Sequence, residues 1–535
     1  MVFSTIQSLV LLLAVIAAVS VAAARFKVSP SILLVCAGAL LGLIPGLPPI
    51  EIAPEIVLLV VLPPIIYWAA VSMSWREFRF NLRPITLLAV GCVIFTTVAI
   101  AVTTHFALGL NWSIGFLLGA IVSPPDAVAP LSIARRLNLP KRILVILEGE
   151  GLANDATALI LYRFAVAAVS TGEFSIGRAS VSFVAIVVGE LVWGIGVGWA
   201  MLRVRRWVRD PRIEILLSVL TPFLAFWPPQ HLGGSGVLAT VVAGLYISWN
   251  GFRLISAATR LQGIFFWDYL IYMIDGMLFL ITGLQVRAIA AGIGAYSAAQ
   301  LAMSAILVCA VVIIARFVWT FPSTYLPRWL VPAIRRADPS PPWQWPFALA
   351  FTGVRGVVSL AAALAIPLTT QSGAPFPQRD LILFLTFSVI LVTLVGQGLT
   401  LPWVMRALGL ADAGRRERRA DRVAEQEARR QAARKSFERL RERASEGTVP
   451  VAAIEALRAA HRSRLLRSEI ARDASEGRSD LAELHDEIDL ELIGAEREFI
   501  NDLYCENKLS DEARRRLERE LDLREAHVAN SRGDD

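Results

Sequence analysis

Residues 123–130 read Ser-Pro-Pro-Asp-Ala-Val-Ala-Pro and interrupt an apolar run that begins near Ser113. Pro124 and Pro125 each remove a backbone donor and clash with the carbonyl four residues earlier, so the pair predicts an unwound turn. Asp126 follows directly, about 20 Å along a helix that rises 1.5 Å per residue. That depth is past the midpoint of a ~30 Å hydrocarbon core. We therefore predict a broken membrane helix with an acid at the bilayer centre; a plain structural kink is the alternative.

A second break is predicted at Gly353-Val354-Arg355-Gly356, within another apolar run. Glycines weaken a helix, and an arginine at membrane depth requires an acidic partner. Two broken helices that cross the membrane in opposite directions are typical of inverted-repeat transporters, with the ion path where they meet. The alternative for Arg355 is a side chain that extends to the aqueous interface.

A central carboxylate is also expected on the helix that follows the first break. Asp155 lies 13 residues after Arg142, so it reaches the same depth as Asp126 from the opposite side. Unwound backbone beside a carboxylate is the usual form of a transporter cation site. Glu148 is shallower and is expected to face water. The other ionisable residues within apolar runs are expected to form internal contacts; they are Glu150, Arg163, Glu190, Asp275 and Arg316. Among them, we expect Arg163 to pair with Glu190.

The composition is that of an integral membrane protein. Of the 535 residues, 55% are hydrophobic and 18% are charged, and the mean hydropathy is +0.57. A membrane helix needs about 20 mostly apolar residues. Thirteen stretches qualify: 3–24, 29–46, 53–73, 85–108, 113–134, 143–170, 179–202, 213–228, 234–250, 265–286, 296–321, 345–369 and 380–408.

Charge divides the chain into a membrane domain, residues 1–408, and a densely charged tail, residues 409–535, expected to be helical. One set of alternate loops holds 19 basic residues and the other set holds 3. The positive-inside rule places the first set in the cytoplasm, with the N-terminus outside and the tail inside. Arg25 and Lys27 follow the first apolar run instead of preceding it, so we expect a retained helix and not a signal peptide. The tail is either a solvated appendage or a regulatory or self-associating segment.

Several classes of function are disfavoured. The four cysteines and five histidines have no metal-ligand spacing, and no Walker, HExxH or GxSxG motif is present. We therefore expect neither an enzyme nor an ATP-driven pump, and no cofactor beyond transported ions. The basic residues lie in short loops, which does not indicate nucleic-acid binding. A channel is less favoured, because a central carboxylate between broken helices fits alternating access better.

Residues 148–163, EGEGLANDATALILYR, resemble the ion-site helix of bacterial sodium/proton antiporters of the cation:proton antiporter 1 family. Four further stretches resemble family motifs: SPPDAVAP (123–130), SGVLATVVAGL (235–245), FLITGL (279–284) and GVRGVVSLAAALAIP (353–367). The resemblance implies an all-α membrane fold of about thirteen helices, with inverted repeats and two broken helices. It also implies a homodimer in the plasma membrane that exchanges Na⁺ for H⁺, with K⁺ or mixed monovalent cations as the alternative.

The resemblance also assigns roles to individual residues. Asp155 would bind both the cation and the proton, Asn154 would be its neighbouring asparagine, and Asp126 would be the acid of the unwound helix. Glu150 and Arg355 would form a buried structural ion pair. The order Asn154–Asp155 resembles the electroneutral branch, which exchanges one cation per proton.

The chain departs from the family pattern at three oxygen ligands. Pro125 replaces a threonine, Gly151 replaces a serine, and no acid follows Pro63–Pro64 in the third apolar run. We expect backbone carbonyls of residues 122–124 and water to replace them, and Gly151 to leave room for the ion. Sodium and potassium are not distinguished by these residues.

Overall fold

A computed structural model describes residues 2–26, 28–44, 56–172, 176–208, 210–251, 254–294, 296–371, 373–445, 455, 480–506, 508–509 and 511–532. Every element in these ranges is a helix, apart from one isolated antiparallel bridge between Thr369 and Pro375. The predicted all-α class is confirmed. Parts of the predicted stretches 29–46 and 53–73 lie outside the described residues.

The helices are numbered in chain order. The first ten are α1 (Val2–Phe26), α2 (Pro30–Gly42), α3 (Leu62–Ser72), α4 (Trp75–Phe80), α5 (Leu82–Thr86), α6 (Val93–Leu108), α7 (Trp112–Val122), α8 (Val128–Arg136), α9 (Lys141–Thr171) and α10 (Ile176–Arg205). The next ten are α11 (Pro211–His231), α12 (Val237–Gly251), α13 (Ala257–Leu284), α14 (Val286–Gly292), α15 (Ala298–Leu330), α16 (Pro332–Ala337), α17 (Gln344–Phe351), α18 (Val357–Leu364), α19 (Arg379–Leu391) and α20 (Gly398–Ala407). The last three are α21 (Leu410–Ser445), α22 (Asp480–Cys505) and α23 (Asp511–Arg532).

Seven helical spans of the described chain are long and apolar enough to cross a membrane. They are Leu82–Leu108, Lys141–Thr171, Ala179–Arg205, Pro211–His231, Ala258–Gly292, Ala298–Leu330 and Arg379–Ala407. Turns of π-helix join α5 to α6 and α19 to α20, which makes each pair one continuous span. The predicted stretches 113–134 and 345–369 are each divided into two short helices, α7 with α8 and α17 with α18. Both predicted breaks are confirmed, while the total of thirteen stays a prediction.

Glu190 of α10 is a buried acid that anchors the start of α12. Its carboxylate accepts backbone N–H groups from Ser235 (2.5 Å), Gly236 (2.9 Å), Leu238 (3.0 Å) and Ala239 (3.3 Å). The first N–H groups of a helix lack partners within the helix and carry partial positive charge, so a carboxylate is well placed there. The expected ion pair between Arg163 and Glu190 is therefore wrong.

Asp338 joins three helices at the end that the loop charges predict to be cytoplasmic. It binds Arg83 of α5 (2.5 Å), Arg142 of α9 (2.9 Å) and Arg328 of α15 (2.7 Å). Burial alone would raise the pKa of Asp338, but hydrogen bonds from Arg142 and the charges of the three arginines outweigh it. The pKa is held below its ordinary value.

We expect Asp338→Asn to lower the thermal stability of the detergent-solubilised protein at neutral pH. A carboxylate whose pKa is lower in the folded state stabilises the fold above its unfolded pKa of about 3.9, and this stabilisation is lost as pH falls through the folded pKa. The difference in Tm between wild type and variant should therefore shrink below about pH 4. Asp412→Asn, at an exposed acid paired with Arg415, is the matched control. A difference in Tm between wild type and Asp338→Asn that stays the same below about pH 4 would contradict a stabilising role of the ionised Asp338.

The chain forms two compact units, residues 1–415 and 416–535. In the second unit, α22 and α23 bury Ile493, Leu521 and Val528. Ion pairs link the same two helices, between Arg497 and Asp522 (2.8 Å) and between Arg524 and Glu496 (2.8 Å). The described part of the tail is helical.

Candidate ion-binding site

The two helix breaks lie against each other. The backbone N–H of Asp126 donates to the carbonyl of Val354 at 2.7 Å. Gly356 lies so close to Asp126 that a Cβ atom there would be 2.0 Å from Oδ2 of the carboxylate. Only glycine fits at this position, and the chain uses it to bring the two unwound segments together.

Opposite charges are matched to opposite helix ends at this crossing. Asp126 accepts the N–H of Val128 (2.9 Å) at the start of α8 and lies against Gly356 at the start of α18. Arg355 donates to the carbonyls of Val122 (2.9 Å) and Ser123 (3.3 Å) at the end of α7. Because helix N-termini carry partial positive charge and C-termini partial negative charge, both side chains are stabilised by the broken helices themselves.

The predicted ion pair between Glu150 and Arg355 is wrong. Glu150 instead pairs with Arg316 of α15 through two hydrogen bonds of 2.5 and 2.8 Å. The side chains of Arg316 and Glu150 are 1% and 2% exposed. Arg316 also donates twice to the carbonyl of Leu349 near the end of α17, at 3.1 and 2.9 Å. Arg355 is held by carbonyls, including that of Gly353, and no carboxylate of the described chain lies within ion-pair distance of it.

Asn154 and the arginines use the carbonyls that the breaks leave free. The amide of Asn154 donates to the carbonyl of Pro125 at 2.7 Å, while its Oδ1 is buried without a hydrogen bond in the described structure. Arg355 engages the carbonyls of Val122 and Ser123, so these two carbonyls also support the scaffold of the site. That the carbonyls of residues 122–124 and water replace the missing ion ligands stays a prediction.

Asp126 and Asp155 line one cavity of about 410 Å³ next to the crossing. Pro124, Pro125 and Gly356 line it as well. The cavity therefore brings together the two acids and both unwound segments, as the sequence predicts. Both acids are partly exposed to this space.

Three further acids line the cavity. Glu148 pairs with the exposed Arg135 at 2.7 Å, in agreement with its expected position near water. Asp268 accepts a hydrogen bond of 2.8 Å from the indole N–H of Trp68. The third is Asp275, whose expected role was an internal structural contact.

Packing defines two further positions on α9. Gly151 lines the cavity, and a Cβ atom on it would lie 2.6 Å from Cβ of Ala127, so the absence of a side chain lets α9 pack closely against this methyl group. The hydroxyl of Thr157 donates a hydrogen bond to the carbonyl of Ala153 in the preceding turn, at 3.4 Å.

Sequence reasoning missed the roles of Arg316 and Asp275. Both are ionisable residues within apolar stretches, which is itself the signal of a functional or paired group. Their partners depend on which face of each helix points inward, and that rotation is not defined by depth along the chain.

Comparison with known proteins agrees with this geometry. Over residues 10–407 the chain matches the family described as "Sodium/hydrogen exchanger, transmembrane". A Mycobacterium tuberculosis protein named as an uncharacterised Na⁺/H⁺ exchanger is 37% identical, over 97% of this chain and 96% of its own length. A Bacillus pumilus protein named as a sodium, potassium, lithium and rubidium/H⁺ antiporter is 33% identical, over 68% of this chain and 56% of its own length.

The fold is also that of a solved antiporter structure. The sodium proton antiporter MjNhaP1 of Methanocaldococcus jannaschii superposes with a TM-score of 0.61 at 19% identity, over 77% of this chain and 98% of that one. The chain is thus a multi-pass membrane protein, and it belongs to the transmembrane sodium/hydrogen exchanger family.

Proposed function

We propose that this protein exchanges Na⁺ for H⁺ across the membrane by letting the two ions compete for Asp155. The observation that carries the proposal is the shared cavity, in which Asp155 and Asp126 lie beside the crossing of two broken helices. Family membership and relatives named as Na⁺/H⁺ exchangers support the same reaction.

The competition follows from electrostatics. A carboxylate in a low-dielectric surrounding is stabilised when a bound cation or a proton neutralises it. Arg355 does not pair with Asp155, because its guanidinium is directed to the carbonyls of Val122, Ser123 and Gly353, and no carboxylate of the described chain lies within ion-pair distance of it. Asp155 must therefore bind either a metal ion or a proton before the site crosses the membrane, which couples the two fluxes without ATP.

The broken helices provide a fixed frame for this exchange. Asp126 is oriented by the N–H of Val128, and Asn154 holds the carbonyl of Pro125 in place. Asp126 is then a second oxygen ligand for the cation, while the Glu150–Arg316 pair holds α9 and α15 together behind the site.

Orientation and assembly complete the proposal. Arg135 and Glu148 line the cavity and lie at the end where the basic loops predict cytoplasm, which supports an inward-facing cavity. We place the protein in the plasma membrane with the N-terminus outside and the tail inside, as a homodimer that serves pH and sodium homeostasis. The order Asn154–Asp155 supports electroneutral exchange of one cation per proton.

The test is cation-induced proton flux in proteoliposomes that contain the purified protein and a pH dye. We expect Na⁺ to drive proton movement in either gradient direction, at a rate independent of a membrane potential set by an ionophore. K⁺ is tested in parallel, because a relative is named for potassium and rubidium as well as sodium. Flux with K⁺ but not Na⁺ would replace the proposal by K⁺/H⁺ exchange, and no flux with any monovalent cation would refute it.

A further inference from the structure

We infer that Asp275 of α13 is a third ligand of the transported cation and takes the place of the acid that is missing from α3. This inference rests on the proposed exchange function, and it adds a binding residue on a helix outside the two broken segments.

Asp275 lies within a membrane span, Ala258–Gly292, where an unpaired charge is strongly unfavourable. Ionisable residues within membrane spans are usually paired, or they face a water-filled space where they take part in function. Asp275 lines the same cavity as Asp126 and Asp155. The cavity thus contains acids from two different helices, with Asp155 on α9 and Asp275 on α13.

The partners of the cavity acids separate them into two groups. Glu148 forms an ion pair with Arg135, Asp268 accepts a hydrogen bond from Trp68, and Asp126 accepts one from the N–H of Val128. For Asp155 and Asp275, the described part of the chain provides neither an ion pair nor a hydrogen bond to the carboxylate. A carboxylate that faces a cavity without a counter-charge can be neutralised by a cation that enters the cavity.

In the predicted inverted repeat, α13 corresponds to α3, which supports the substitution of an acid on α13 for one on α3. The broken helices are the fifth and twelfth predicted stretches, so the same offset pairs the third stretch, 53–73, with the tenth, 265–286. From α3, the cavity is lined by Ile65, Ala69 and Ser72 among others, and by no acid. Asp275 lies in the tenth stretch, so the acid is present in one repeat instead of the other.

A ligand on α13 predicts a specific kinetic effect. The cation would be bound by Asp275 together with Asp155 and Asp126, whereas a proton on Asp155 needs only that one carboxylate. Loss of Asp275 should therefore weaken cation binding and leave the maximal turnover nearly intact. A purely structural role would instead reduce both.

The experiment measures Na⁺-driven proton flux in proteoliposomes as a function of Na⁺ concentration. Asp275→Asn should raise the apparent KM for Na⁺ by about 10-fold or more, with maximal rate within about 3-fold of wild type. Asp275→Glu should keep the KM within about 3-fold, because it retains the carboxylate. Asp268→Asn is the matched control, since it removes an acid from the same helix that already has a partner in Trp68.

Rescue makes the test independent of a folding defect. Adding Ile65→Glu to Asp275→Asn returns an acid to the cavity from α3 and should lower the KM again. An unchanged KM in folded Asp275→Asn, or an equal rise in Asp268→Asn, would overturn the inference. If Asp275→Asn does not fold, two other results together overturn the inference. These are a raised KM for Na⁺ in Asp275→Glu and failure of the Ile65→Glu, Asp275→Asn double variant to fold. Exchange retained by Asp155→Asn would refute the proposed function itself, whatever Asp275 does.

Discussion

Asp155→Asn should abolish sodium-driven proton flux, with a loss of at least about 100-fold in rate. The amide has nearly the same shape as the carboxylate, but it can neither lose a proton nor carry the negative charge that attracts a cation. Since Asp155 is where the two ions compete, no other cavity acid should restore coupling. Proteoliposome flux measured at several pH values checks this result.

The controls for Asp155→Asn separate chemistry from folding. The variant should remain monodisperse in detergent, because the side chain faces the cavity and makes no ion pair in the described structure. Asp268→Asn, which removes another acid of the same cavity, should retain exchange. Sodium-dependent proton flux that persists in folded Asp155→Asn would show that the ion-coupling residue lies elsewhere.

Arg316→Met is expected to be the most destabilising single change in the membrane domain. It leaves the Glu150 carboxylate buried without its two hydrogen bonds from Arg316. It also removes the hydrogen bonds from Arg316 to the carbonyl of Leu349, which then keeps the one from the hydroxyl of Thr352. Removing one partner of a buried ion pair costs about 3–5 kcal/mol, because the remaining charge is uncompensated. The measurement is the Tm and yield of folded protein in detergent.

A second substitution tests whether the loss comes from the stranded charge. Glu150→Gln in the Arg316→Met background removes that charge and should recover part of the Tm. Arg430→Met, in the tail, removes an arginine whose ion pair with Glu427 is more exposed, and it should leave the Tm of the membrane domain unchanged. A Tm of Arg316→Met equal to that of wild type would contradict the assignment of the pair.

The sequence predicts the positions of the breaks because a helix-breaking pair coincides with an ionisable residue at each of them. Pro124–Pro125 precedes Asp126, Gly353 and Gly356 flank Arg355, and the structure contains both interruptions. Proline alone is not sufficient, since Pro228 and Pro229 lie inside the continuous helix α11. The depth of Asp126 and Asp155 follows from the rise per residue of a helix. The helix breaks and the depths of the two acids together predict that Asp126 and Asp155 meet in one cavity.

The partners of the arginines could not be predicted in the same way. Arg316 and Arg355 both reach the middle of the membrane, so depth does not indicate which of them meets Glu150. The choice depends on the rotation of α15 and on the carbonyls that each break leaves free, which Arg355 satisfies at the end of α7. Asp275 was missed for a related reason, since only packing shows which face of α13 borders the cavity.

The most direct test of competition at Asp155 is proton release when Na⁺ is added to the purified protein in weakly buffered detergent solution. We predict release of roughly one proton per bound Na⁺, reversed by acidification and absent in Asp155→Asn. Sodium binding without proton release, or release that is unchanged in Asp155→Asn, would contradict the account.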